Sequence, residues 1–152
     1  MSSTDFDFLT PTDKPALIGL STPELQETAK TALDQLGYKV HTAVNHGEFL
    51  HKFGQVAYQV VVLEELFSAT TPEENESLIA LQRMPMSVRR HSTIVLFGFN
   101  MATFNPMQAY QQCVHAVVNP SEMFLLIQLI QKAVADNDMF LHTYRDVQRR
   151  MA

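Results

Sequence analysis

The chain has 152 residues, enough for one domain with a substantial buried core. Hydrophobic residues are 46% and charged residues 18%, which excludes an intrinsically disordered chain. The formal charge of -5 gives no basic footprint for nucleic acid, and no apolar run reaches the ~20 residues that span a bilayer.

Residues 1–14 are polar, without sustained period, and are expected to form a flexible leader. They lack the basic region and apolar stretch of a secretory signal, so a cytoplasmic protein is expected. The first strand is predicted over Ala16–Leu20. Ser21 or Thr22 then caps a helix whose first turn holds Pro23 and Glu24. Leu25, Ala29, Ala32, Leu33 and Leu36 form its apolar stripe, and Gly37 stops it. Tyr38–Val44 alternates as a second strand, and a helix through Phe49, Leu50, Phe53 and Val56 follows.

The third strand is the apolar run Val60–Leu63, which ends on Glu64 and Glu65. An apolar run this short reads as a strand buried on both faces. A helix around residues 77–83 follows and is disturbed at Pro85. Thr93–Phe97 is the fourth strand, residues 98–106 a loop, and Met107–Gln112 a short helix. Ala116–Val118 is the fifth strand, ended by Asn119-Pro120. Ser121 caps a last helix that is strongly apolar through Val134. Five strands alternating with helices predict a doubly wound α/β domain with a five-stranded parallel sheet in the order 2-1-3-4-5.

The order and spacing of four segments carry a resemblance: Leu36-Gly37-Tyr38, the strand from Gln59 to Glu64, the strand from Ser92 to Phe97, and Val118-Asn119-Pro120. Over residues 15–135 the chain resembles the receiver domain of two-component response regulators, a flavodoxin-like (CheY-like) fold. The resemblance implies a phosphoaccepting carboxylate at Glu64 and a magnesium-binding acid pair at Leu20 and Ser21. It implies a hydroxyl at Gly98, or at Phe97 if the register slips by one. It also implies a lysine at Asn119 and a switch aromatic at Ala116. Each position holds a different residue type from the family's. A magnesium-dependent phosphoacceptor needs its carboxylates placed to within a fraction of an ångström. The resemblance therefore implies a degenerate pseudo-receiver: the fold without the phosphotransfer chemistry, with Glu64 as a solvated acid at a strand end.

The six histidines show no metal-binding spacing and read as surface or boundary residues. Cys113 reads as an inert buried thiol, and no disulfide framework is available to a single cysteine. Arg89-Arg90 and Arg149-Arg150 read as solvated charge. No glycine-rich phosphate loop and no nucleophile elbow occur. No cofactor and no metal are expected.

Two segments suggest a partner surface. The loop after the fourth strand presents Phe97, Phe99, Met101 and Phe104, residue types enriched in interface cores. In the extension over residues 136–152, Asp136-Asn137-Asp138 is expected to interrupt the helix. Phe140, Tyr144, Val147 and Met151 then recur as an amphipathic stripe. The expected function is a noncatalytic signalling module that binds a protein partner, with homodimerisation through the extension. The alternative is a small-molecule-binding or enzymatic domain with a pocket at residues 20–22, 64–68, 97–105 and 119–121.

Overall fold

A computed structural model describes residues 9–89 and 91–151. Five parallel strands, β1 (Lys14–Gly19), β2 (Tyr38–Ala43), β3 (Val60–Glu64), β4 (Thr93–Phe97) and β5 (Ala116–Val118), form one sheet in the order β2-β1-β3-β4-β5. This is the predicted order. Lys14 already belongs to β1, and residues 1–8 of the expected leader lie outside the described residues.

The helices are α1 (Pro23–Gln35), α2 (His46–Gln55), α3 (Glu76–Arg83), α4 (Met86–Arg89), α5 (Pro106–Gln112) and α6 (Leu126–Met151). Asparagines start several of them. Asn45, Asn75 and Asn105 accept hydrogen bonds from the backbone N–H three residues on, those of Glu48, Leu78 and Gln108. Gly37 ends α1 as predicted, at φ 88°, where a β-carbon would be strained. Pro85 separates α3 from α4.

Strand side chains alternate between two cores. Ala16, Ile18, Val60, Val62, Val95, Phe97, Ala116 and Val118 pack beneath α1 and α6. Leu17, Val61, Leu63, Ile94, Leu96 and Val117 pack on the other face, with Phe49, Phe67 and Leu78. The central strands β3 and β4 are wholly buried, hence their near-continuous apolar sequence.

The last helix departs from expectation. Instead of breaking at Asp136-Asn137-Asp138, α6 runs unbroken for 26 residues. The reason is Asn137. Its side chain is buried and donates to Thr93 Oγ1 at 3.1 Å across to the start of β4, rather than turning back to compete for its own backbone.

Candidate functional site

The parallel register brings the expected site residues to one sheet edge. Gly19 is level with Leu63, Glu64 with Phe97, and Phe97 with Val118. Leu20, Ser21, Glu65, Gly98 and Asn119 follow directly, so all lie at the C-terminal strand ends. Ala116 lies within β5, buried beneath α1 and α6.

Glu64 is not the solvated acid expected. Its parity with Val60 and Val62 turns it toward α1, and it is only 7% exposed. Oε1 accepts from the backbone N–H of Ser21 at 2.9 Å and of Thr22 at 3.0 Å. Oε2 accepts from Thr22 Oγ1 at 2.8 Å. Thr22 is the N-cap residue of α1, yet its side chain makes no capping bond. Glu64 instead fixes the N–H groups of Ser21 and Thr22 just before the first turn and sets a negative charge near the positive end of the α1 dipole.

These contacts decide how the edge suits a magnesium ion. Leu20 is buried and its side chain apolar, so it offers no carboxylate oxygen. Ser21 Oγ accepts from Ser68 N–H at 2.7 Å. Both Glu64 oxygens are engaged by donors whose dipoles favour an anion and oppose a dication. The residues present do not fit the metal.

Behind this edge lies a polar network that motif reasoning passed over. His46 Nδ1 accepts from Ser77 N–H at 3.2 Å, which leaves the ring proton on Nε2, 3.3 Å from the Ser68 carbonyl. Ser77 Oγ is 2.8 Å from the same Nδ1. Asn75, fully buried, donates to the carbonyls of Glu64 at 3.0 Å and Glu65 at 2.9 Å while capping α3. An asparagine three residues before an apolar helical stretch was the signal available for it. Burial, and then the charge of Glu73, raise the Glu65 carboxyl above its ordinary value.

The β4 side of the edge is closed by its own loop. A β-carbon at Gly98 would meet Met101 Cγ at 2.7 Å and Glu65 Oε1 at 3.3 Å. Met101 thus covers the place where the resemblance implies a hydroxyl. Asn119 turns inward: its amide donates to the carbonyls of Phe99 at 3.0 Å and Met101 at 2.8 Å, and its oxygen accepts from Ser121 N–H. Thr103 Oγ1 accepts from Asn119 N–H.

The aromatic loop therefore divides. Phe97 is fully buried and Met101 nearly so, because the sheet parity and the Gly98 cleft draw them in. Phe104 is half-buried at φ 59°, with Lys132 Nζ 5.5 Å from its ring centre. Only Phe99 faces solvent, as do Met107 and Tyr110 of α5. From the extension, Phe140, Val147 and Met151 are exposed and Tyr144 half-buried.

Three further expectations are corrected. His41 is buried in β2, with Nδ1 2.7 Å from the Tyr58 hydroxyl. (His115 is a boundary residue as expected, half-buried, and its Nδ1 accepts from Ile94 N–H.) Arg89 is buried and donates to the Leu81 carbonyl, because the short α4 folds back on α3; Arg90 lies outside the described residues. Cys113 is exposed, since it caps α5 in a left-handed conformation. Clefts lie away from the strand ends, against α6; one, of about 280 Å³, is lined by residues of α1 and by Met123, Phe124 and Ile127.

No protein-family model matches this chain, and no curated protein does. Solved structures do match. The chemotaxis response regulator CheY4 of Vibrio cholerae is 16% identical, with a TM-score of 0.60 over 80% of this chain and 99% of that one. A CheY-like receiver domain protein from Methanospirillum hungatei is 17% identical, with a TM-score of 0.63 over 84% and 98%. NtrX from Brucella abortus, 13% identical, gives a TM-score of 0.67 over 86% of this chain, which spans only 29% of that chain. With this strand order, helix layering and long last helix, the chain has the fold of the response-regulator receiver domains.

Proposed function

We propose that the chain is a noncatalytic signalling module, a receiver fold that acts by protein contact rather than by phosphotransfer. One observation carries the reading. The Glu64 carboxylate, at the phosphoacceptor's place, is consumed by internal bonds to Ser21 and Thr22. Attack through Oε1 would compete with the amides of Ser21 and Thr22, and attack through Oε2 with the Thr22 hydroxyl. No second carboxylate stands at Leu20 or Ser21 to share a cation's charge. Glu64 does not act as a phosphomimetic in this reading, because its charge is received by the α1 terminus and not by Gly98 or Asn119. The partner is a protein, and the exposed stripe of α6 is the surface offered for self-association.

The test is incubation with acetyl phosphate and magnesium, followed by intact-mass analysis. The expected result is no added phosphoryl group and no change in the amide NMR spectrum. A stable, magnesium-dependent acyl phosphate on Glu64 overturns the proposal.

A further inference from the structure

The stripe on α6 does not begin at residue 140. Leu126, Ile130, Ala133, Asn137, Phe140, Tyr144, Val147 and Met151 are spaced alternately four and three, a heptad seam along the whole helix. Its first half is used inside the domain: Leu126, Ile130, Ala133 and Asn137 are buried. Asn137 lies level with the first residue of β4, so α6 passes the N-terminal edge of the sheet at that point. Leu141 is the last buried residue. The remaining ten residues, about 15 Å of helix, stand clear of the sheet on the side opposite Glu64. Val147 and Met151, 46% and 82% exposed, carry the seam into solvent.

Where the helix leaves the domain there is a cleft of about 220 Å³, lined by Met86, His115, Ala133, Asn137 and Phe140 among others. Met86 on this lining and Val88, both of α4, are exposed. Charge is unevenly divided along α6. Asp136 and Asp138 lie at its point of exit, with Asp136 paired to Lys132, while toward the tip Arg145, Arg149 and Arg150 outnumber Asp146, which pairs with Arg149 and Arg150. Asp136 and Arg150 are two heptads apart on one flank of the seam.

We infer that two copies of this chain associate through antiparallel pairing of the projecting ends of α6, each tip reaching the cleft at the base of the other. Net charge favours one direction. Antiparallel pairing brings like flanks together and turns the net-positive tip of one copy toward the net-negative base of the other. Parallel pairing gathers all the arginines at one end and aligns the two helix dipoles. Length agrees. When the projecting segments overlap fully, Met151 of one copy is level with Phe140 of the other, and Tyr144 with Val147. A flexible methionine then meets an apolar cleft. A stable interface buries roughly 800 Å² per partner, so α4 must join the helix pair in forming it.

The inference rests on the protein-contact reading above, but its test is separate. A monomer would sink the dimer and leave the phosphotransfer question untouched; phosphorylated Glu64 would do the reverse. Sedimentation of the full chain is expected to give twice the chain mass, and Val147→Glu the single mass with an unchanged circular dichroism spectrum. Direction is read by disulfide capture in a Cys113→Ser background. Phe140→Cys with Met151→Cys is expected to give covalent dimer. Met151→Cys alone is expected to give none, because antiparallel pairing holds the two 151 positions roughly 16 Å apart, beyond disulfide reach. A monomeric wild-type chain, a dimer indifferent to Val147→Glu, or ready cross-linking of the single variant overturns the inference.

Discussion

Removing the Glu64 carboxylate leaves the amides of Ser21 and Thr22 without an acceptor in a site almost closed to water. Each buried donor left unmade costs about 1–3 kcal/mol. Glu64→Ala is therefore expected to lower stability by about 2–4 kcal/mol, read as a lower urea midpoint at unchanged slope. Glu64→Gln keeps a carbonyl oxygen for both amides and offers Thr22 Oγ1 a donor in place of an acceptor. It loses the charge at the α1 terminus and should cost about 1 kcal/mol. Equal losses for the two variants would mean that the charge, and not the hydrogen bonds, holds this corner. A negligible loss for Glu64→Ala would mean that water satisfies the two amides and that Glu64 is not a structural clamp.

Among the elements, the connection from β4 to α5 shows best how the site is filled. Gly98, Met101 and Asn119 form one unit, with the methionine over the glycine and the asparagine bonded to the loop carbonyls on either side. Gly98→Thr restores the residue type that the resemblance implies, and its β-carbon collides with Met101 Cγ. Overpacking of this kind costs about 1–3 kcal/mol. Met101→Ala alone opens a void, so the double variant Gly98→Thr/Met101→Ala should be more stable than the two single losses added together. Strict additivity in a double-mutant cycle would show that the two side chains do not compete for one space. The elements themselves were legible because buried parallel strands write themselves as apolar runs, and Gly37 and Pro85 mark stops. Partners across the chain were not. Neither the buried turn of Glu64 toward α1 nor the inward packing of Met101 follows from local pattern, since each depends on which face a neighbouring element covers. Asn137 misled for the same reason: a helix-interrupting residue in isolation becomes a helix-docking residue when Thr93 stands opposite it.

Over the whole molecule, the carboxylates pull stability in opposite directions with pH. The Glu74 carboxyl is held below its ordinary value, first by the Thr70 hydroxyl and then by the amides of Thr70 and Thr71. Asp13 is held down chiefly by the Thr10 amide. Such groups contribute stability above their ordinary values of 4.5 and 3.8, and it is lost as pH falls through their folded values. Glu65 works the other way. Its folded value is raised above 4.5 by burial and by Glu73, so the folded state holds that proton more tightly than the unfolded chain does. Its penalty is absent below 4.5 and grows as pH rises through the folded value. Glu65→Gln removes the penalty without removing the side chain that flanks Gly98. The variant should match the wild-type chain at about pH 4 and exceed it at about pH 7, read as urea midpoints across that range. A difference that stays constant with pH would assign the effect to packing at the Gly98 edge. One that grows toward acid would mean that the Glu65 carboxylate is stabilised by the fold, reversing the sign derived from its burial.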